Sequence, residues 1–88
     1  MSYYVYILRC ADNTLYVSCT NNLEKRISEH NASKKGAHYT KFRRPVVLVY
    51  SETFETLSSA RAREEEIKKW RKEKKLDLIK HGHPNGVQ

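Results

Sequence analysis

The stretch YVYILRC at residues 4–10 decides the fold, because its aromatic and β-branched residues predict a β-strand. The next four residues, ADNT, favour a turn, and LYVSC after them predicts a second strand. Residues 4–19 therefore form a predicted β-hairpin. An odd number of turn residues would point Tyr6 and Tyr16 to the same face of the hairpin, whereas a two-residue turn would place them on opposite faces.

A short amphipathic helix is predicted next, over residues 20–30. Asn21 and Glu24 have the spacing of a capping box, and Leu23 and Ile27 share one helical face. Residues 31–44 then favour a loop.

Pro45 opens a third predicted strand, VVLVY at residues 46–50. Its unbroken apolar run predicts a strand that is covered on both faces. A second helix is predicted from about residue 60 to residue 70, with Ser58 or Ser59 as its N-cap, and a third helical stretch follows it to residue 80.

The order of these elements, ββα and then βαα, predicts an α/β fold with a small three-stranded sheet flanked by helices. Residues 1–80 are expected to form a single domain. Gly82 is a plausible stop for the last helix, and residues 81–88 are expected to be a polar, flexible tail.

Charge and composition narrow the class of function. The 88 residues include 17 Lys and Arg against 10 Asp and Glu, a formal net charge of +7 that favours a polyanionic partner. No apolar run approaches the roughly 18 residues of a transmembrane helix, so no membrane partner is expected.

Two cysteines cannot build a disulfide framework, which indicates a cytoplasmic protein with free thiols. The chain has no CxxC pair and no phosphate-cradling glycine loop.

Glu64 is the most informative single position. On a helix that runs from Ala60, Glu64 falls on or beside the buried stripe with Ile67. A carboxylate held against a core needs a cation, a hydrogen bond or a metal to offset its desolvation. The simpler interpretation is an i,i+4 ion pair with Lys68, or exposure at the edge of the helix.

Three other features have both a chemical and a structural interpretation. Tyr6 and Tyr16 on one face would position a water and a phosphate oxygen, or would merely pack in a small core. Arg26 and His30, four residues apart, suit a phosphate ester, or form a solvated helix face. The segment from 34 to 44 has five cations and no acid, interrupted by aromatic residues, which is typical of a nucleic-acid contact surface. Its cations are Lys34, Lys35, Lys41, Arg43 and Arg44.

Together these motifs resemble the GIY-YIG nuclease superfamily. The residues that carry the resemblance are Tyr4-Val5-Tyr6, Tyr16-Val17-Ser18, Leu23-Glu24-Lys25-Arg26, His30-Asn31 and the stretch ARAREEEIKKW at 60–70. The match is closest to the small stand-alone bacterial members and more distant to the N-terminal incision domain of UvrC. It covers residues 3–80, and the order and spacing of the five motifs make it specific.

The resemblance implies an antiparallel three-stranded sheet and hydrolysis of phosphodiester bonds in DNA with one divalent ion, Mg²⁺ or Mn²⁺. It implies that Tyr6 and Tyr16 are the two motif tyrosines and that Arg26 is the helix arginine. His30 matches a histidine of some members, and Glu64 matches the metal-binding glutamate. The resemblance also predicts the odd turn that places both phenols on one face.

Ser18 stands where the second motif of the family normally has Gly. If that Gly provides a positive φ or a close approach, Ser18 obstructs the site; if the position is plain β-strand, Ser18 costs little. The alternative function is therefore a nucleic-acid-binding module that keeps the nuclease fold with weak or no catalysis. A third interpretation is a basic domain that binds acidic proteins.

Overall fold

The computed structural model describes residues 2–32 and 38–82. Its elements in chain order are β1 (Tyr3–Arg9), β2 (Leu15–Thr20), α1 (Leu23–Ala32), α2 (His38–Lys41), β3 (Val47–Phe54), α3 (Leu57–Lys68) and α4 (Lys72–His81). The predicted α/β fold is confirmed: one three-stranded antiparallel sheet carries the helices. In this part of the chain no helix is long and apolar enough to cross a bilayer.

The sheet has the order β2-β1-β3, so β1 is the central strand. Across the hairpin Tyr6 pairs with Ser18 and Leu8 pairs with Tyr16. Arg9 and Leu15 form the last pair and leave an odd number of residues in the turn, so the prediction that Tyr6 and Tyr16 share a face is confirmed.

Each face of the sheet has its own hydrophobic core. On the face that bears Tyr6 and Leu8, which we call the tyrosine face, the packing partners come from α1 and α2. On the face that bears Val5 and Ile7, which we call the valine face, they come from α3 and α4. The sheet is therefore the middle layer of three, and α1 and α3 lie on opposite sides of it.

The prediction that the third strand is covered on both faces is wrong. β3 is an edge strand, and Val47 and Leu48 at its start are 50% and 37% exposed. The strand with a buried run on both faces is β1, because it lies at the centre of the sheet, where helices cover both faces. A register shift opposite Ile7 and Leu8 interrupts the pairing of β1 with β3.

The helix boundaries correct several sequence predictions. The N-cap of α3 is Thr56, whose hydroxyl accepts a hydrogen bond from the Ser59 amide, so neither Ser58 nor Ser59 is the cap. In α1 the capping side chain is Asn22, which accepts from the Lys25 amide, one residue after the predicted Asn21. The helical stretch after residue 57 is two helices, and Gly82 ends the second with φ 106°. Residues 83–88 of the predicted tail lie outside the described residues.

The connection from α1 to β3 is less irregular than the predicted loop, since it contains the short helix α2. Its C-terminal end is held by the Asn31 side chain, which donates to the Val46 carbonyl and accepts from the Val46 amide. Arg44, which precedes Pro45 through a cis peptide bond, donates to the carbonyls of Glu29 and His30 in the last turn of α1. Predicted contact residues Lys34 and Lys35 lie outside the described residues.

A buried ion pair joins β3 to α3 on the valine face. Glu52 on β3 is 3% exposed and accepts hydrogen bonds from the Tyr50 hydroxyl at 2.6 Å and from Arg63 of α3 at 3.0 Å. Arg63 also pairs with Glu66 and lies over the ring of Trp70. This network holds α3 against edge strand β3 and thereby determines where the residues of α3 lie.

Glu52→Gln is expected to lower the free energy of unfolding by about 3 kcal/mol, because it removes the buried charged partner of the Arg63 guanidinium and leaves it the exposed Glu66. Glu65→Gln, the same change at an exposed position of α3, is the control and should change stability by less than about 0.5 kcal/mol. Urea denaturation of both variants gives the comparison. Equal losses in the two variants would contradict the importance of the pair.

Candidate active site

Tyr6 lies at the centre of the tyrosine face. It is fully buried, and its hydroxyl lies 2.9 Å from Nε2 of His30. Ser18 and Arg26 also lie close to this hydroxyl. Burial raises the pKa of Tyr6 to about 12, and nearby Tyr16 adds to the effect while Ser18 and Arg26 oppose it. Tyr6 is therefore a neutral phenol at physiological pH.

His30 is held between two hydroxyl groups. Its Nε2 faces Tyr6, and its Nδ1 lies 2.8 Å from the Thr40 hydroxyl of α2. Burial lowers the pKa of His30 to about 4, and the positive charges of Arg26 and Arg44 lower it further. His30 is consequently a neutral imidazole at pH 7, which has one N–H donor and one acceptor nitrogen.

Tyr16 is more accessible than Tyr6 and belongs to a column of rings. Its ring stacks on Tyr39 at a centroid distance of 5.7 Å and meets His30 edge-on at 5.3 Å. The guanidinium of Arg43 covers the other face of Tyr39 at 3.9 Å. This column fixes the plane of Tyr16 and leaves its ring half-buried.

Arg26 connects the tyrosine face to solvent. Its guanidinium forms an ion pair with Glu29 at 2.8 Å and lies close enough to Tyr6 to lower the pKa of that phenol. Beside it lies an open depression of about 150 Å³, lined by Thr20, Asn21, Asn22, Lys25, Arg26 and Glu29. A phosphate group fits a depression of this size, and Arg26 and Lys25 provide the positive charge that would attract it.

Glu64 approaches from the valine face. It is 8% exposed, and its Oε2 lies 2.7 Å from Nζ of Lys68, so the i,i+4 ion pair and the buried position occur together. The Cys19 thiol of β2 lies beside this carboxylate. Burial, together with the charge of Glu64, raises the pKa of Cys19 to about 11, which keeps the thiol protonated.

The structure brings Tyr6, Tyr16, Arg26 and His30 together on the tyrosine face, whereas Glu64 lies on α3 over the valine face, beside Cys19 of edge strand β2. Lys68 pairs with Glu64, and this ion pair raises the pKa of Lys68. The candidate site therefore has phenol, imidazole and guanidinium groups on one face of the sheet and a carboxylate on the other face, at the edge that β2 forms.

Ser18 occupies a plain β-strand position. Among the described residues, Asn13 is the one non-glycine residue with a positive φ, so the backbone at Ser18 is not in the region that favours glycine. Ser18 pairs with Tyr6 across the hairpin, and it lowers the pKa of that phenol. The Ser18 side chain therefore lies beside Tyr6.

Two of the loop cations have internal partners. Arg43 donates to Asp12 at 3.0 Å and to the Tyr39 carbonyl at 2.8 Å, and Arg44 binds the end of α1. Lys41 is exposed. The assignment of these residues to nucleic-acid contact stays a prediction, and Arg43 and Arg44 in addition hold the segment that carries Tyr39 and Thr40.

Three further residues of the site were missed as functional candidates: Thr40, Tyr39 and Cys19. Thr40 and Cys19 carry no periodic or motif signal that separates them from ordinary polar or small residues. Tyr39 stands out only as an aromatic residue within the cationic segment. Over residues 2–32 and 38–82, no three His, Cys, Asp or Glu side chains cluster as a metal site.

Comparison with known proteins identifies the class to which this fold and site belong. The family model of the GIY-YIG catalytic domain matches residues 2–77, and the chain belongs to that family. The resemblance read from the sequence is therefore confirmed.

Particular relatives cover nearly the whole chain. A UPF0213 protein of Syntrophus aciditrophicus is 56% identical over 77 residues, which are 88% of each chain. A UPF0213 protein of Staphylococcus haemolyticus is also 56% identical over 77 residues, 88% of this chain and 93% of the relative.

Two solved structures share the fold. The solution NMR structure of a UPF0213 protein from Bacillus halodurans is 40% identical and aligns with a TM-score of 0.60 over 97% of this chain and 90% of its own. A solution NMR structure from E. faecalis is 36% identical, with a TM-score of 0.62 over 100% and 96%.

The buried neutral His30 makes stability depend on pH. An unfolded histidine titrates near pH 6.5 and folded His30 near 4, so the unfolded state binds the extra proton between these values. The contribution of His30 is complete above pH 6.5 and is lost as the pH falls towards 4. The wild type should therefore lose more free energy of unfolding than His30→Gln over this interval, as measured by urea denaturation. Parallel losses in the two proteins would rule out a buried neutral imidazole.

Proposed function

We propose that the protein is an endonuclease that hydrolyses phosphodiester bonds in DNA with one divalent ion. One observation carries the proposal: Tyr6, Tyr16, Arg26 and His30 converge on the tyrosine face, and Glu64 lies at its edge, in a chain of the GIY-YIG family. The net charge of +7 supports a polyanionic substrate.

The chemistry at Glu64 suits a hard cation. Mg²⁺ and Mn²⁺ prefer oxygen ligands, and Mg²⁺ commonly binds one or two carboxylates, several waters and substrate phosphate oxygens. The nearly buried Glu64 carboxylate, held by the Cys19 thiol, provides one such ligand, and Lys68 would turn aside to neutralise the phosphate. When bound, the ion would stabilise negative charge on the phosphate and on the leaving oxygen.

The two phenols differ in what they can reach. Tyr6 is fully buried and its pKa is about 12, which makes it unsuited to take a proton from water. The more accessible Tyr16, braced by Tyr39 and His30, is the phenol that would contact and orient the attacking water. Tyr6 would then position Arg26, whose guanidinium would neutralise a non-bridging phosphate oxygen.

A nucleic-acid-binding module without catalysis is the second candidate. It is favoured by Ser18 at the motif glycine position and by the ion pair that Lys68 forms with Glu64. Such a module would bind DNA with a strong salt dependence and would hydrolyse none with any divalent metal. The two candidates therefore differ in one assay on the purified wild-type protein.

Glu64→Gln is expected to reduce Mg²⁺-dependent cleavage of DNA by about 100-fold or more, the magnitude typical of losing one electrostatic group at a reacting phosphate. The variant keeps the size of the side chain, and Glu65→Gln on the exposed face of α3 is the matched control. A gel assay on linear and branched DNA measures both. Equal cleavage by the two variants would contradict the assigned role of Glu64.

A single variant in which Lys34, Lys35 and Lys41 are all changed to Ala tests the predicted contact segment. Each lost phosphate contact should lower the slope of log affinity against log salt concentration by about 0.9 for duplex DNA. The control replaces Lys69, Lys74 and Lys80, which removes the same charge from α3 and α4. Fluorescence anisotropy over a salt series should show a smaller slope for the first variant than for the control, whereas equal slopes would indicate attraction by net charge alone.

A further inference from the structure

Thr40 has no place in the proposed chemistry, yet it contacts its centre. It belongs to the short helix α2, is fully buried, and its Oγ1 lies 2.8 Å from Nδ1 of the equally buried His30. The other ring nitrogen of His30 faces the Tyr6 hydroxyl at 2.9 Å. Both nitrogens of a neutral imidazole are thus engaged by hydroxyl groups, and one proton must be placed between them.

Two assignments satisfy these distances. In the first, the Tyr6 hydroxyl donates to Nε2, and Nδ1–H donates to Thr40. In the second, Thr40 donates to Nδ1, and Nε2–H donates to the Tyr6 oxygen. The choice decides whether the Tyr6 proton points towards His30 or away from it.

The two hydroxyl groups that face His30 favour the first assignment. The assignments differ in which hydroxyl donates to the ring nitrogen that lacks a proton, that of Tyr6 or that of Thr40. A phenol is a stronger acid than the aliphatic hydroxyl of Thr40, and the positive charge of nearby Arg26 strengthens the phenol as a donor. The better donor therefore meets the imidazole lone pair when Tyr6 donates to Nε2.

We propose that Thr40 is a positioning residue that accepts a hydrogen bond from Nδ1–H of His30 and so keeps Nε2 as the acceptor for the Tyr6 hydroxyl. The hydrogen bonds then run in one direction, from Tyr6 to His30 and from His30 to Thr40. The phenol oxygen then accepts no hydrogen bond from His30, so its lone pairs remain available to the other groups of the site. This consequence for catalysis rests on the proposed function, whereas the position of the ring proton does not.

The test is an NMR experiment on the full chain with ¹⁵N-labelled histidine. A long-range ¹H–¹⁵N correlation distinguishes the two tautomers by the nitrogen that lacks a proton, and the His30→Gln spectrum identifies His30 among the four histidines. The wild type should show protonated Nδ1 and unprotonated Nε2. Thr40→Val, which has the same shape without the acceptor, should move the proton wholly or partly to Nε2, and Thr40→Ser should restore the wild-type pattern.

Protonated Nε2 in the wild type would overturn the proposal, and so would an unchanged tautomer in a folded Thr40→Val variant. If that variant does not fold, the wild-type tautomer together with Thr40→Ser decides the outcome. Cleavage is measured in parallel: Thr40→Val should cleave more slowly than Thr40→Ser. A wild type that cleaves no DNA would refute the proposed function and leave the tautomer result to stand by itself.

Discussion

The pairing register of β1 with β2 is the constraint on which the candidate site depends. Because Tyr6 pairs with Ser18 and Leu8 with Tyr16, both phenols project from the tyrosine face, where α1 presents Arg26 and His30. A shift of the register by one residue would move Tyr16 and Ser18 to the valine face and place Cys19 and Val17 beside Tyr6. The alternation of side chains along β2 resists that shift, since the shift would take Val17 out of the core of the valine face and Tyr16 out of the core of the tyrosine face.

The short edge strand β2 is where the two layers of helices meet. Tyr16 faces α1 and α2, while Cys19 on the same strand faces α3 and contacts Glu64. The Glu64 carboxylate therefore lies against edge strand β2 on one side of the sheet, and the two phenols lie on the other side. The opposite edge strand, β3, has a structural role. Its Glu52 pairs with Arg63 of α3 and holds α3 in the position in which Glu64 lies against β2.

The sequence predicted what depends on local periodicity. Turn residues and a high content of aromatic and β-branched residues indicated the hairpin, and helical spacing placed Glu64 on the buried stripe of its helix beside Lys68. It failed where the outcome depends on tertiary packing. VVLVY resembles a central strand, but strand order makes it an edge. The contact of Thr40 with His30, across ten residues and through a four-residue helix, has no periodic signal, and neither has the bond of Arg44 to the end of α1.

The central claim is that Glu64 and the tyrosine face form one site around the edge of β2. Relaxation enhancement by substoichiometric Mn²⁺ tests this claim most directly, since it maps the distance of every assigned proton from the bound ion. The account predicts the strongest broadening at Glu64, Lys68 and Cys19, with clear broadening of the Tyr16 ring and none in Glu64→Gln. Broadening centred on other acidic residues, or confined to α3 without Tyr16, would contradict a shared site.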